Sequence, residues 1–250
     1  MIIDINAYTG HWPSHPVEGA LDSVRASLRE YGVERMCVSP LDAAWCRNPH
    51  RFNDSLYAAS VVTDDVWPVP VLDPTIATWR DELQRAEAQP RVRLVKLLPA
   101  YCGYDLSSAS DLFAALACAG LGVIVQTRLE DPRRQHPLAQ VPDVPAAEIA
   151  DAAERHPGLL IIIGGPRTAE IRGLRDRIQG LPNLYADVSQ SDGMDAVKVL
   201  VEDGLSDKLL FGSHAPLFIP YSALSRVVTD LPDDEAAAIL GGNAERIVNW

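Results

Sequence analysis

The chain has 250 residues, 47% hydrophobic and 22% charged, and its 34 acidic and 22 basic side chains give a net charge of −12. The length fits one α/β barrel of about 250 residues better than two small domains. The acidic balance argues against nucleic acid or an anionic membrane as a partner, because phosphate groups are bound by excess lysine and arginine. We therefore expect one domain over residues 1–250 that takes a small-molecule ligand, with the oligomeric state left open.

Short β-branched runs alternate with longer amphipathic runs along the whole chain. The first predicted strand begins at Ile2, and seven more follow at 33–39, 66–72, 92–98, 121–126, 159–163, 183–188 and 208–212. Helices are predicted at 17–31, 52–62, 76–88, 110–119, 144–156, 168–179, 194–203, 221–229 and 233–250. Pro68 and Pro70 predict irregular pairing in the third strand, since proline has no N–H to donate. Residues 128–141 form a long loop of the kind that often serves as a lid.

Parallel strands joined by helical crossovers form either a closed barrel or an open doubly wound sheet. The count of eight favours the barrel, and no Gly-x-Gly-x-x-Gly follows the first strand, which weakens a dinucleotide-binding fold. We predict a (β/α)8 TIM barrel, whose active site would lie at the carboxyl ends of the strands. With a period of two, Ile3, Ile5 and Ala7 would face outward and Asp4, Asn6 and Tyr8 inward.

The four cysteines form no Cys-x-x-Cys pair, and the first strand begins at once after Met1 without a signal peptide. The apolar runs are far too short to span a bilayer. These features predict a cytoplasmic protein with reduced thiols.

Six segments in order resemble the amidohydrolase-related barrel family. They are Tyr31-Gly32-Val33-Glu34-Arg35, Val95-Lys96-Leu97-Leu98-Pro99, Ile163-Gly164-Gly165, Asn183-Leu184-Tyr185-Ala186-Asp187-Val188-Ser189, Phe211-Gly212-Ser213-His214-Ala215-Pro216 and Leu240-Gly241-Gly242-Asn243-Ala244-Glu245-Arg246. The resemblance covers almost the whole chain and implies an amidohydrolase-like barrel that acts on a small molecule.

The metal-binding positions of that family are occupied differently here. The resemblance implies Asp-x-His-x-His in the first strand, a histidine in the fifth and sixth strands, and an aspartate in the eighth. Those places hold Asn6 and Tyr8, then Gln126, Ile162 and His214. A catalytic zinc site needs about three histidine or carboxylate ligands and an open position. We therefore predict no metal and no other cofactor.

Three residues are candidates for catalysis. His214, at the end of the eighth strand, could act as general acid or base, or could be a structural histidine. Lys96 shares a strand face with Leu94 and Leu98 and should point into the barrel, as an anion clamp, a nucleophile or the partner of Asp187 or Asp4. Asp187 could serve catalysis or a structural salt bridge.

Six further residues are predicted to bind substrate. Asn6, Tyr8 and Gln126 would orient it from the strand ends. Arg128 could hold a substrate carboxylate with two hydrogen bonds, or could form a surface ion pair. His11 and Trp12 could form a pocket wall.

Three hypotheses remain open at this point. The first is a metal-independent hydrolase, lactonase or lyase that acts on a small polar or anionic molecule, with His214 transferring the proton. The second is a non-catalytic ligand-binding or regulatory barrel, a pseudoenzyme. The third is a metal hydrolase with a rebuilt ligand set such as His11, His214 and Asp187.

Overall fold

The computed structural model describes residues 1–229, 231–248 and 250, and these residues form eight strands. The strands are β1 Ile2–Thr9, β2 Val33–Pro40, β3 Val66–Pro68, β4 Leu94–Leu97, β5 Gly122–Gln126, β6 Ile161–Gly164, β7 Leu184–Asp187 and β8 Leu209–Leu210. Every paired neighbour runs parallel, in the orders β1-β2-β3 and β4-β5-β6-β7-β8.

Backbone hydrogen bonds join the two groups of strands into a ring. After β3, the Lys96 N–H donates to Pro70 O at 2.9 Å, and the Leu72 N–H donates to Lys96 O at 3.0 Å. On the other side, the Ile5 N–H donates to Phe211 O at 3.0 Å, and the His214 N–H donates to Asn6 O at 2.9 Å. The predicted (β/α)8 TIM barrel is therefore confirmed.

Helices cover the outside of the ring. They are α1 Leu21–Glu30, α2 Asn53–Val62, α3 Trp79–Glu87, α4 Pro99–Cys102, α5 Ser110–Ala119, α6 Ala146–Arg155, α7 Thr168–Gly173, α8 Arg175–Gly180, α9 Lys198–Glu202, α10 Pro220–Val228, α11 Asp233–Ala237 and α12 Asn243–Ile247. Short 3₁₀ helices lie at Leu41–Trp45, Pro49–Phe52, Leu106–Ala109 and Ser206–Lys208, and a π-helical turn at Ala238–Gly242 separates α11 from α12. Within the described part of the chain, no helix is long and apolar enough to cross a bilayer.

Two elements differ from the sequence prediction in an instructive way. The third strand was expected over residues 66–72, but β3 ends at Pro68 and only a single bridge between Val71 and Lys96 continues it. Pro68 and Pro70 offer no N–H to the neighbouring strand, so regular pairing stops there. The closing helix expected over 233–250 is broken by the π-helical turn that contains Gly241 and Gly242.

The predicted alternation of outward-facing and inward-facing side chains is wrong for the first half of β1, because Ile3 and Ile5 face into the barrel. Ile3 and Ile5 pack in one cluster with Leu94 and Ile124, which lie on the strand faces that carry the inward-pointing Lys96 and Gln126. A register shift against β2 between Asp4 and Ala7 breaks the strict period of two. As a result β1 supplies apolar side chains to the lower layer of the barrel and polar ones above it.

Candidate active site

A fully buried polar network fills the upper end of the barrel. We call it the central cluster, and its members, each at most 2% exposed, are Asn6, Tyr8, Lys96, Gln126 and Asp187. They come from β1, β4, β5 and β7, whose carboxyl ends converge here. Sequence analysis singled out all five residues, and the fold brings them into mutual contact.

Lys96 lies at the middle of the central cluster. Its Nζ donates to the Tyr8 hydroxyl at 2.9 Å and to Asn6 Oδ1, and it lies 4.1 Å from the centre of the Tyr8 ring. Asn6 separates it from Asp187, because the Asn6 Nδ2 group donates to Asp187 Oδ2 at 2.6 Å. Burial lowers the pKa of Lys96 to about 7, although Asp187 and Asp4 nearby favour the charged form. Lys96 can therefore gain or lose a proton near neutral pH.

Asp187 organises the other side of the cluster by accepting hydrogen bonds from three residues. Besides the Asn6 amide, it accepts from the Gly165 N–H at 3.0 Å, the Ser189 N–H at 2.8 Å and the Ser189 hydroxyl at 2.5 Å. Gly165 makes its bond from a backbone with φ of +64°, which glycine adopts readily. Burial raises the pKa of Asp187, and these hydrogen bonds oppose that rise.

A second buried carboxyl group, Asp4, lies beside the cluster and was considered from sequence only as a partner for Lys96. Its Oδ1 accepts from the N–H groups of Asn6 and Ser213, both at 3.0 Å. Its Oδ2 has no hydrogen-bond partner among the described residues. Burial raises the pKa of Asp4 to about 6, so this carboxyl group also titrates in the working range of an enzyme.

His214 is fully buried and its ring is held by the backbone. Its Nε2 lies 2.7 Å from Leu129 O and so carries the hydrogen, while Nδ1 has no hydrogen-bond partner among the described residues. Its φ of +59° is strained for a residue with a side chain. Burial lowers the pKa of His214 to about 3. The ring is thus neutral at pH 7 and a weak base there.

The donor atoms at these positions do not suit the divalent metal that the family resemblance implies. Asn6, Tyr8 and Gln126 offer amide and phenol groups, Ile162 offers none, and the Lys96 ammonium would repel a cation. Among the described residues, no group of three or more His, Cys, Asp or Glu side chains is arranged to hold a metal. The structure does not bring the set of His11, His214 and Asp187 together: the His11 side chain is 95% exposed, next to Asp42, whereas the other two are buried.

The remaining predicted substrate-binding residues lie outside the central cluster. The Arg128 guanidinium forms ion pairs with Asp143 and Glu170 and donates to Gly165 O at 2.8 Å. The Trp12 Nε1–H donates at 3.0 Å to the buried carboxylate of Glu130. Arg128 and Trp12 are thus both held by buried or half-buried carboxylates rather than turned toward the cluster.

A cavity of about 1080 Å³ opens beside the cluster at the carboxyl end of the barrel. We call it the side cavity, and the loops after β1, β5, β6, β7 and β8 line it together with α1 and α10. Ser189, Gln190 and Ser213 separate it from the buried groups: Ser189 bonds Asp187, the Gln190 amide lies 3.2 Å from His214 Nε2, and the Ser213 N–H bonds Asp4. Its charged lining consists of Arg133, Arg134, Arg167, Arg226, Glu18, Asp131 and Asp192, together with His15.

Sequence reasoning did not identify the side cavity, although Ser189 and Ser213 fall within segments that carry the family resemblance. Gln190 and Arg226 come from a loop and a helix whose patterns give no sign of function, and their proximity depends on the closed ring. Glu130 was not singled out either, because the burial of this acidic residue, at the end of the buried segment 121–130, is visible only in the structure.

Comparison with known proteins gives a family and a fold. A search of curated proteins gives no match. An uncharacterised TIM-barrel protein from Bordetella bronchiseptica is 18% identical, with a TM-score of 0.70 over 98% of this chain and 97% of its own. A 2,6-dihydroxybenzoate decarboxylase from Rhizobium is 17% identical, with a TM-score of 0.67 over 91% and 87% of the two chains.

A third similar structure is a probable 2-pyrone-4,6-dicarboxylic acid hydrolase from Acinetobacter baumannii, crystallised with citric acid. It is 15% identical, with a TM-score of 0.64 over 98% of both chains. At these identities the three structures support the fold alone. The sequence model of the amidohydrolase family matches residues 6–250, nearly the full length, and the chain therefore belongs to the amidohydrolase family.

Proposed function

We propose that the protein is a metal-independent hydrolase or lyase that acts on a small anionic molecule bound in the side cavity. The observation that carries this proposal is the cavity itself. It lies where barrel enzymes bind their substrates, and four arginines against three acidic residues line it, in a chain whose net charge is −12. Local positive charge on an acidic protein concentrates anions at that place.

Arg226 is the arginine that reaches the floor of the cavity. It extends from α10, donates to the Ser222 hydroxyl at 3.0 Å, and lies 3.5 Å from Ser189 O at the cavity floor. Burial lowers the pKa of Arg226, although Asp192 nearby favours its charged form. A guanidinium with N–H groups left over for a ligand suits a carboxylate, which it can bind with two parallel hydrogen bonds.

The polar groups of the central cluster lie beneath the floor of the cavity and would influence the bound molecule from there. Lys96 places a titratable positive charge in a dry environment, where it acts on developing negative charge more strongly than in water. Asp187 orients the Ser189 hydroxyl at the cavity floor. His214, predicted from sequence to transfer the proton, enters this proposal as a neutral hydrogen-bonding group buried behind the cavity, because its pKa of about 3 makes it a weak base.

Two of the similar structures are named for reactions on carboxylated rings, a decarboxylation and a hydrolysis. This supports the choice of an anionic substrate with a ring, and of a hydrolase or lyase reaction. The amide and phenol groups at the expected ligand positions support a reaction without a metal. The Lys96 ammonium, which is hydrogen-bonded to Asn6 and Tyr8 there, would repel a metal ion.

The test is turnover in chelator-treated buffer. Protein would be incubated with 2,6-dihydroxybenzoate, 2-pyrone-4,6-dicarboxylate and related ring carboxylates, and products followed by liquid chromatography and mass spectrometry. We expect turnover that divalent metal does not increase, and at least a tenfold lower kcat in Lys96→Met. Lys198→Met, at a half-buried lysine of α9, serves as the control. Turnover that depends on added zinc or manganese would reject the proposal.

A second candidate, a non-catalytic ligand-binding barrel, has one observation in its favour. Every member of the central cluster is at most 2% exposed, and each is hydrogen-bonded to another member. Such a network can hold a barrel together without reacting. Saturable binding of ring carboxylates by calorimetry, without any product across the panel, would favour this candidate over the enzyme.

A further inference from the structure

His15 and Glu130 face each other at the edge of the side cavity, separate from the central cluster. His15 lies on the loop after β1 and lines the cavity, and its side chain is 24% exposed. Glu130 lies on the loop after β5, and its side chain is 2% exposed. His15 Nδ1 is 3.7 Å from Glu130 Oε2. Neither residue has a role in the chemistry described so far.

The contacts of Glu130 show that it fixes this loop in place. Its Oε2 accepts from the Trp12 indole at 3.0 Å, and its two oxygens accept from the Ser14 hydroxyl at 3.0 and 3.1 Å. Trp12 also packs edge-to-face against Trp45 and Tyr101. One buried carboxylate thus anchors Trp12 and Ser14, the two positions that precede His15 on either side of Pro13, so the imidazole is held in a defined place.

The same contacts define which nitrogen of His15 carries the hydrogen. On the buried side, Nδ1 faces Glu130 and lies 3.4 Å from the Ser14 hydroxyl, which already donates to Glu130. On the cavity side, Nε2 lies 3.1 Å from the Arg134 guanidinium, which can only donate. Nδ1 therefore carries the hydrogen, and the Nε2 lone pair faces the cavity.

We propose that His15, oriented by Glu130, is the proton-transfer residue of the side cavity. This rests on the proposed function and assigns its proton transfer, for a reaction in which an ester or lactone that carries a carboxylate is hydrolysed. Nε2 takes a proton from water as the water oxygen attacks the acyl carbon and the acyl–oxygen bond breaks. The imidazolium then returns that proton to the leaving oxygen, so the protein ends with the protons it began with. Glu130 is a positioning residue that favours the imidazolium between these two steps.

The cavity provides the other parts that such a reaction needs. The attacking water would take the place of Arg134 at Nε2, and the displaced guanidinium would then pair with the substrate carboxylate. Arg226 and the floor residues Ser189 and Ser213 line the same cavity. His214 does not compete for this role, since its Nε2–H donates a hydrogen bond to Leu129 O.

The experiment compares kinetics of His15→Gln, Glu130→Gln and the control His136→Gln on 2-pyrone-4,6-dicarboxylate, a lactone with two carboxylates. His136 is an exposed histidine of the loop after β5 that does not line the cavity. We expect kcat to fall at least 100-fold in His15→Gln with KM changed less than threefold. Glu130→Gln should lose about tenfold in kcat and shift the acidic limb of the pH profile, and His136→Gln should match wild type.

A ring ¹⁵N NMR spectrum of wild type gives a readout besides activity. We expect neutral His15 to carry its hydrogen on Nδ1, and this preference to weaken in Glu130→Gln. Turnover by His15→Gln equal to wild type, or a hydrogen on Nε2, overturns the role of His15 and leaves the proposed function standing. Absence of turnover by wild type on the entire panel overturns the proposed function, and the role of His15 falls with it.

Discussion

The central cluster and the side cavity are adjacent but differ in how their polar groups are satisfied. In the central cluster, Lys96 and Asp187 have their hydrogen bonds supplied by neighbouring protein groups in a dry interior. In the side cavity, arginines and His15 line an open volume of about 1080 Å³. Buried polar networks are costly when one member is removed, whereas solvated groups are nearly free to change.

From this difference we infer that the central cluster serves stability and that the cavity loops serve ligand recognition. The positions at which the family resemblance implies metal ligands now hold a network centred on Lys96, which stabilises the strand ends. Ligand recognition would then rest on the loops, which tolerate change better than strands do. The comparison predicts that variants in the central cluster change stability, Lys96→Met in addition to its effect on kcat, and that variants at the cavity rim leave stability unchanged.

The largest effect is expected from Asp187→Ala. The substitution leaves buried donors of Asn6, Gly165 and Ser189 without their acceptor. We expect the free energy of unfolding to fall by about 3–5 kcal/mol, measured by urea titration. Asp111→Ala is the control, since that side chain is 83% exposed and pairs with Arg80 only at 3.4 Å. A loss below 1 kcal/mol in Asp187→Ala would show that the network is not structural.

The sequence predicted the barrel well because its main signal is local. Alternating strands and helices, the glycine that ends α5 at Gly120, and the six ordered segments all lie within short stretches of chain. The register shift in β1 could not be read from the pattern, because it depends on how Ile3 and Ile5 fill the lower layer between other strands.

The site was predicted less completely, for a physical reason. Sequence identified Lys96 and Asp187 as inward-facing, but not that Asn6 lies between them. It identified His214 at a strand end, but its low pKa comes from burial that only packing reveals. The side cavity lies between loops that are far apart in sequence, so its lining residues carry no shared motif.

An intermediate effect is expected for the pH dependence of stability in Lys96→Met. The pKa of Lys96 is about 7 in the folded protein and about 10.5 when unfolded, so between these values the unfolded chain binds more protons. Stability therefore rises with pH in this window, by about 3 kcal/mol from pH 7 to 9.5, as the burial penalty of the ammonium disappears. Below pH 7 that penalty is present in full.

Urea titrations of wild type and Lys96→Met across this range test the prediction. Other groups titrate in both proteins, so the difference between the two curves isolates Lys96. We expect the difference to grow with pH, and the control Lys198→Met to follow wild type. Parallel curves of stability against pH for wild type and Lys96→Met would show that Lys96 keeps an ordinary pKa and that its ammonium group remains hydrated.

The smallest effect is expected from Arg133→Ala at the cavity rim. The Arg133 side chain is 88% exposed, and its ion pair with Asp131, at 2.6 Å, lies in water where salt screens it. The geometry of this pair is as good as that of many buried ones, so only its surroundings distinguish it from the contacts of Asp187. We expect the urea midpoint of Arg133→Ala to equal that of wild type at both low and high salt. A fall comparable to that of Asp187→Ala would mean that the rim is part of the folded core, and the contrast between the central cluster and the side cavity would then be lost.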